Sequence, residues 1–401
     1  MTISKHSPLF EFTILSISLF LGSASAMSGA IPVMHQGMNN VSLGWIENLM
    51  TIPSLSVLIM LLISPFIANK LGIKTTILLG LGISGFMGIV PVFTNNFYLI
   101  LISRIGLGIG LGIYNSLAYS IISYYYTGTE RSTMMGLQSA MTGIGNLVMR
   151  LMAGALVTVS WHAVFMMYGL ILLVIPLFFL IVPDDNRQAV EPITDDQPKQ
   201  KESINIKVIF IAGTVLFLML LPNLIGMKLP SMVTEENLGT AATATLGLAG
   251  MGLAQMFGSG LYGFIERFLK AWILPLAFIG GSLGILIIYT ANQLPMVIAG
   301  ALAFGFFVSM AAPYLLTLAA DVAPIGSANL ASAVVLLGVN VATFIAPTFW
   351  NTLGKLVGAT DPRSIISDGM VLMVLMAVMS ILYAIKQKNS HATTPDVSEE
   401  I

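Results

Sequence analysis

The chain has 401 residues, of which 56% are hydrophobic and 9% charged, and its mean hydropathy is +0.90. A composition this apolar excludes a water-soluble globular protein. The net charge of -1, from 17 Lys and Arg against 18 Asp and Glu, excludes the basic stripe that nucleic-acid binding requires. The absence of Cys and the four scattered His predict no metal centre, no thiol chemistry and no cofactor.

Twelve long apolar segments follow one another along the chain, each bounded by polar or turn residues. A helix needs about 20 apolar residues to cross a hydrocarbon core of about 30 Å, so each segment is long enough to span a membrane. The first six predicted helices are 9–34, 45–68, 74–94, 97–125, 132–158 and 162–183. The second six are 206–227, 239–264, 271–291, 295–320, 325–352 and 366–386. The sequence therefore predicts an all-α integral membrane protein with twelve transmembrane helices.

The longest polar stretch, residues 184–205, separates the two sets of six segments and carries acids and bases together. This composition is typical of a flexible linker. We therefore predict an amino-terminal six-helix bundle over 1–183, a cytoplasmic linker over 184–205, a carboxy-terminal six-helix bundle over 206–390 and a cytoplasmic tail over 391–401.

The first apolar segment has Lys5 before it and small residues at 23–26 near its end, a pattern that cleaved secretory signals also show. The segment is over-long for a signal and opens a regular series, so we interpret it as a transmembrane helix.

If the amino terminus is cytoplasmic, 12 Lys and Arg lie in inner loops and three, Lys228, Lys355 and Arg363, in outer loops. The positive-inside rule therefore predicts a multi-pass plasma-membrane protein with both termini cytoplasmic.

Two arginines lie inside predicted helices, where a charge is costly unless it faces a cavity or a partner. At a rise of 1.5 Å per residue, Arg104 lies about 10 Å and Arg150 about 12 Å below the outer ends of their helices. Glu47, at the outer end of the second helix, is the best candidate counter-ion for Arg104, because arginine side chains reach outward. Arg104 is thus either a structural or a functional residue. For Arg150 we favour a role in substrate binding or coupling.

Polar side chains at helical spacing accompany both arginines. Asn115 and Tyr119 share the Arg104 face of the fourth helix, and Gln138, Thr142 and Asn146 precede Arg150 at steps of four. Together they form a polar strip that is suited to line a cavity. Taken singly, such residues in membrane helices more often hydrogen-bond a neighbouring helix than a ligand.

The fourth helix also contains a run of glycines at every second position, from 106 to 112. These glycines form two pairs spaced four residues apart. A phosphate-binding loop would require a strand, a turn and a helix start around them. The run therefore predicts surfaces on which helices pack closely.

Four sequence motifs accompany this pattern. The loop after the second helix reads PFIANKLGIK (65–74), and its second-half equivalent ends in ERFLK (266–270). The fourth helix contains RIGLGIG (104–110), and an inner loop follows with Glu130 and Arg131. In the fifth helix, Gly136 and Gly145 precede MRLMAG (149–154). An outer turn ends with Trp161, three further residues and Phe165.

These motifs are similar to the G-x-L-A-D-R-x-G-R-K loop, the R-x-x-x-G-x-G element and the antiporter motif of the major facilitator superfamily. The resemblance implies two six-helix bundles around a central cavity, opened alternately to each side by rocking of the halves. In that family the inner loops latch the halves together. The resemblance implies this gating role for Asn69, Lys70, Gly72, Lys74, Arg131, Glu266 and Arg267.

Two functions are compatible with this pattern. The spacing of the fourth and fifth helices and the Trp161–Phe165 pair resemble drug-efflux members, which implies a monomeric secondary transporter that exports a small organic molecule using protons. Alternatively, Arg104 and Arg150 supply the positive charge of a carrier for a small organic or inorganic anion. A membrane receptor or scaffold on the same fold is a third class. No Ser/His/acid set occurs at useful depth, so the sequence predicts no enzyme.

Overall fold

The computed structural model describes residues 7–38, 40–183, 203–324 and 327–392. All regular secondary structure in these ranges is helical, which confirms the predicted all-α class. Most of the predicted linker and of the predicted cytoplasmic tail lies outside the described residues. The proposed domain boundaries therefore stay predictions.

Each predicted segment coincides with one helix or with consecutive helices. The amino-terminal half contains α1 (Pro8–Ser16), α2 (Ile31–Gly37), α3 (Leu43–Leu71), α4 (Ile73–Ile89), α5 (Phe97–Tyr125), α6 (Gly128–Leu156), α7 (Trp161–Val164) and α8 (Gly169–Ile181). The carboxy-terminal half contains α9 (Ile206–Glu235), α10 (Ala241–Leu269), α11 (Ile273–Thr290), α12 (Leu294–Val308), α13 (Ala311–Val322), α14 (Ala328–Val357) and α15 (Pro362–Ala392). Short 3-10 segments connect some of them, including Ile17–Phe20 and Ser23–Ala30 between α1 and α2.

Within the described ranges, nine stretches are long and apolar enough to cross a membrane, or ten if the bent pair Pro8–Phe20 and Ser23–Gly37 forms one span. One of the nine, Ala241–Thr290, holds both α10 and α11. The more polar α6 is not among them. A multi-span helical protein is therefore confirmed, whereas the total of twelve crossings stays a prediction.

The two halves meet mainly toward one side of the molecule. We call the side at which α1 begins the amino-terminal side and the other the opposite side. Across the halves, α3 contacts α14, α6 contacts α10, and Ser23–Ala30 and α2 contact α9. The part of the first segment nearer the amino-terminal side, α1 with Ile17–Phe20, packs instead on α5, α6 and α8.

The antiparallel helices α6 and α10 diverge toward the amino-terminal side. A Cβ on Gly154 would lie 3.4 Å from Thr245, and one on Gly143 would lie 3.8 Å from the sulfur of Met256. Further along the same face, Cβ atoms on Gly136 and on Gly263 would have nothing within 4 Å. The halves are therefore closed on the opposite side and separated on the amino-terminal side.

The glycine run of α5 packs against two helices, as predicted. A Cβ on Gly108 would lie 2.4 Å from the carbonyl oxygen of Pro53 in α3. A Cβ on Gly110 would lie 2.4 Å from the backbone nitrogen of Ser84 in α4. Because backbone atoms cannot move aside as a flexible side chain does, these glycines let α5 approach both neighbours closely.

We expect Gly110→Ala to destabilise the protein by about 1–3 kcal/mol, because its methyl group would overlap the backbone of α4. The measurement is the midpoint of thermal unfolding in detergent. Gly82→Ala in α4 is the matched control, since a Cβ there would have nothing within 4 Å. Equal midpoints for the two variants would contradict the close approach of α4 and α5.

Candidate functional site

A small cavity of about 100 Å³ lies between the halves. Its wall combines residues of the Ser23–Ala30 segment, α3 and α6 with residues of α9 and α10. They are Ser25, Ser28, Met50, Thr51, Arg150, Pro222, Asn223, Gly226, Met227, Met251 and Gln255. Among these lining residues, Arg150 is the charged one.

The Arg150 side chain bridges the halves. Its Nη1 donates a hydrogen bond of 3.0 Å to the carbonyl oxygen of Leu248 in α10. A guanidinium has five N–H donors, and this is the one hydrogen bond that Arg150 makes among the described residues. Arg150 therefore brings positive charge and further donor capacity to the cavity wall.

The rest of the predicted polar strip lies outside that wall. Asn146 packs against the first segment, since a Cβ on Gly22 would lie 1.9 Å from its Oδ1. Thr142 donates to the carbonyl of Gln138 within α6. Gln138 is fully buried, and its amide makes no hydrogen bond among the described residues. A substrate role for these three residues stays a prediction.

The two strip residues of α5 are also absent from the cavity wall. Asn115 is half-buried, and Tyr119 is exposed on the part of α5 nearer the amino-terminal side. Their predicted role in substrate binding or coupling is likewise untested. Of the strip and the two deep arginines, the structure brings Arg150 alone into the cavity wall.

Arg104 is fully buried inside the amino-terminal half. Its Nε donates to the carbonyl of Leu49 at 3.0 Å, its Nη2 to the carbonyl of Ala24 at 2.8 Å, and its Nη1 to the hydroxyl of Tyr168 at 3.0 Å. The predicted pairing of Arg104 with Glu47 is therefore wrong. Carbonyl oxygens and a phenol satisfy this cation in place of a carboxylate.

Arg104 and Tyr168 together hold the irregular first segment, Pro8–Gly37. The chain is in 3-10 conformation over Ile17–Phe20 and Ser23–Ala30, and the segment bends by 47°. The Tyr168 hydroxyl donates to the carbonyl of Ser23, and Arg104 bonds that of Ala24. Stretches of 3-10 conformation within a helix often mark functional hinges. Arg104 and Tyr168 thus fix the backbone that carries two cavity-lining serines.

We expect Tyr168→Phe to lower stability by about 1–3 kcal/mol, because it leaves the buried carbonyl of Ser23 without its donor. Thermal unfolding in detergent measures the change. Tyr98→Phe is the matched control, since its side chain is exposed. An unfolding midpoint for Tyr168→Phe equal to that of the control would show that the hydroxyl does not support the first segment.

A buried ion pair closes the opposite side. Lys228 Nζ lies 2.6 Å from Glu47 Oε1, and the two side chains are 2% and 0% exposed. Asn351 donates to Glu47 Oε2 at 2.6 Å and accepts from Lys228 at 2.7 Å. Glu47 belongs to the amino-terminal half, whereas Lys228 and Asn351 belong to the carboxy-terminal half. This triad, Glu47–Lys228–Asn351, therefore ties the halves together.

This triad was not predicted from sequence, because the seventh helix was ended at residue 227 and Lys228 was placed in an outer loop. That placement is wrong, since α9 continues to Glu235 and Lys228 is buried. Buried apolar residues, Leu229 and Met232 among them, follow Lys228. Their presence was the available sign that the helix continues past the charge.

The other two cations assigned to outer loops also lie in helices. Lys355 is in the last turn of α14. Arg363 is near the start of α15, which begins earlier than predicted, and bonds Glu236 and the carbonyl of Ala291. Both remain close to helix ends on the opposite side. They therefore differ from Lys228, which lies deeper in the interface.

The predicted gating residues lie on the amino-terminal side. Gly72 joins α3 to α4 at a φ of 85°, a conformation that favours glycine. Asn69 and Lys70 are exposed beside it, and Lys74 is buried with its Nζ 5.1 Å from the ring of Phe179. Among the predicted gating residues outside this loop, Arg267 is exposed, and Arg131 and Glu266 are partly exposed. Their gating role stays a prediction.

Curated proteins similar to this chain carry the description "Protein TsgA homolog". The homolog from Buchnera aphidicola subsp. Baizongia pistaciae (strain Bp) is 24% identical over 302 residues, covering 72% of this chain and 74% of that protein. The homolog from Buchnera aphidicola subsp. Schizaphis graminum (strain Sg) is 23% identical over 330 residues, covering 80% and 82%.

Solved transporter structures share the fold. A bacterial homolog of the human lysosomal transporter Spinster, inward-facing and unoccupied, matches with a TM-score of 0.74 and 15% identity, covering 94% of this chain and 97% of that one. A D-xylose–proton symporter matches with a TM-score of 0.68 and 18% identity, covering 93% and 97%. The family model of the Major Facilitator Superfamily matches residues 13–235. The chain belongs to the Major Facilitator Superfamily.

Proposed function

We propose that the protein is a secondary active transporter that carries a small organic anion across the plasma membrane by alternating access. The observation that carries the proposal is the position of Arg150, the charged residue in the wall of a cavity between the halves. A cation held away from bulk water attracts an anion more strongly than an exposed one does. No carboxylate is among the lining residues to neutralise it.

The arrangement of the halves supports alternating access. The Glu47–Lys228–Asn351 triad closes the opposite side, whereas α6 and α10 diverge on the amino-terminal side. In the proposed cycle, the halves rock so that the triad separates and the diverged ends meet. We propose that the transporter is monomeric and crosses the membrane twelve times, with both termini in the cytoplasm. With this orientation, the amino-terminal side, where the halves are separated, opens to the cytoplasm.

The cavity favours an anion over the lipophilic cations of drug efflux, because Arg150 repels a cation. Met50, Met227 and Met251 add flexible apolar surface to the same wall. A solute with one carboxylate and a small apolar body matches both features. Proton-driven export of such a solute is compatible with this geometry. Because no carboxylate is among the lining residues, a carboxylate that carries the proton would lie outside the cavity wall.

We expect Arg150→Gln to raise the KM for uptake of small organic acids into proteoliposomes at least about tenfold, since hydrogen bonds to charged groups contribute about 1.5–3 kcal/mol. Arg150→Lys, which keeps the charge, should lose less. The assay follows labelled monocarboxylates, with lipophilic cations tested in parallel.

Lys355→Gln is the charge-matched control, because Lys355 is exposed at the end of α14 away from the cavity. Uptake by this control should equal that of the wild type. Transport of lipophilic cations that Arg150→Gln leaves unchanged, without uptake of any organic acid, would refute the anion proposal and favour drug efflux.

A further inference from the structure

We propose that an apolar groove in the carboxy-terminal half binds an anionic phospholipid, with an acyl chain in the groove and the headgroup beside Lys207. The groove has a volume of about 980 Å³, at the upper end of the range of ligand pockets. Residues of α9 and α15 form its sides, and residues of α11 and α13 complete its wall. No described residue lines both this groove and the cavity that contains Arg150, so the two are separate.

The groove forms because α9 and α15 diverge toward the amino-terminal side. Nearer the opposite side the two helices pack closely, since a Cβ on Gly369 in α15 would lie 2.5 Å from Leu224 and 3.4 Å from Leu221 in α9. Closer to the amino-terminal side, Gly213 of α9 belongs to the groove wall, and a Cβ there would have nothing within 4 Å. The groove is therefore the space left between the two diverging helices.

The wall of the groove is suited to hydrocarbon. Phe210 on α9 and Met379 on α15 are 63% and 55% exposed, whereas Phe278 of α11 lines the groove and is otherwise buried. A large exposed apolar surface on a membrane-spanning protein is typical of contact with lipid. The hydroxyls of Thr214 and Ser380 also line the groove, but each donates to a carbonyl of its own helix. An acyl chain therefore matches this wall better than a polar solute does.

The length of the groove matches one leaflet of a bilayer. Its wall extends from Ile206 to Phe217 on α9 and from Leu372 to Tyr383 on α15. At a rise of 1.5 Å per residue, each stretch is about 17 Å long. One leaflet accounts for half of a hydrocarbon core of about 30 Å. The groove therefore runs from the amino-terminal boundary of the membrane to about its middle, as a single lipid chain does.

The charge at the outer end of the groove favours an anionic headgroup. Lys207 is exposed in the first turn of α9 and is the one charged residue among those that line the groove. The amino-terminal end of a helix carries partial positive charge, so Lys207 and the α9 dipole attract the same anion. With the proposed orientation, this end lies at the cytoplasmic leaflet, whose anionic lipids attract nearby lysines. A phospholipid with a net negative charge therefore matches both the chain-binding wall and its charged end.

Photo-crosslinking with two lipid probes tests the proposal. The full chain is reconstituted into phosphatidylcholine vesicles that contain a small fraction of phosphatidylglycerol or phosphatidylcholine bearing the same photoreactive acyl chain. Mass spectrometry then maps the labelled peptides. We expect the phosphatidylglycerol probe to label the groove peptides of α9 and α15 at least about fivefold more than the phosphatidylcholine probe, the factor that one lysine near a membrane surface contributes.

Two variants separate the headgroup from the chain. Lys207→Gln should lower groove labelling by phosphatidylglycerol about fivefold, whereas Lys70→Gln, which alters an exposed lysine on the same side of the other half, should leave it unchanged. Gly213→Leu places a side chain in the groove and should reduce labelling by both probes at least about fivefold. Gly82→Leu is its matched control, since a Cβ there also has nothing within 4 Å.

Thermal unfolding in detergent gives a second readout and shows that each variant is folded. Phosphatidylglycerol should raise the unfolding midpoint of the wild type and of Gly82→Leu, because a ligand that binds the folded state stabilises it. It should not raise the midpoint of Gly213→Leu. If Gly213→Leu does not fold, the comparison of Lys207→Gln with Lys70→Gln still decides the proposal.

Equal groove labelling by the two probes, or phosphatidylglycerol labelling that Lys207→Gln leaves unchanged, would overturn the proposal and show that the groove holds bulk lipid only. Absence of label from the groove, together with a dimeric mass in detergent, would overturn it in favour of a second copy of the chain as occupant. The test requires no transport, so its outcome is independent of the solute and of the direction of transport.

Discussion

A cation buried among membrane helices needs a partner or a wet cavity, and this constraint organises the centre of the protein. Arg104, Lys228 and Arg150 meet it in three ways. Arg104 bonds two carbonyls and a phenol within one half. Lys228 pairs with a carboxylate of the other half. Arg150 bonds a single carbonyl across the halves and lines a cavity.

In the proposed transport cycle, these three environments would serve three mechanical roles. The bonds of Arg104 lie inside the amino-terminal half, so rocking leaves them intact, and they hold the bent first segment in place. The Lys228 pair crosses the interface near the opposite side and must break when that side opens. Arg150 lines the cavity between the halves, where a solute would compete with the carbonyl of Leu248 for its donors. In the proposed cycle, a rigid half, a separable contact and a solute-binding residue would thus be built from the same kind of charge.

Much of the fold follows from hydrophobic pattern alone. Every predicted segment falls on a helix, and the glycines of α5 pack on two neighbours, because both features depend on spacing along one helix. The resemblance to the Major Facilitator Superfamily, carried by short motifs, gave the correct family. Local pattern and motif spacing were sufficient for these conclusions.

Contacts between helices were harder to predict. Glu47 and Arg104 both lie toward the opposite-side ends of their helices, yet position along a helix does not specify which side of it a residue occupies or which helix it faces. Lys228 was missed because a charge was taken as the end of an apolar segment, although the ion pair with Glu47 makes a buried lysine tolerable. The 3-10 conformation of Ser23–Ala30 depends on donors from α5 and on Tyr168, which are distant in sequence.

The most direct test of rocking about the cavity is a pair of distances between spin labels, measured by pulsed electron paramagnetic resonance. One pair, at Phe93 and Leu356, reports on the opposite side, and the other, at Lys70 and Arg267, reports on the amino-terminal side; all four side chains are exposed. Addition of a small organic acid should lengthen the first distance while it shortens the second. Two distances that stay fixed, or that lengthen together, would contradict the account.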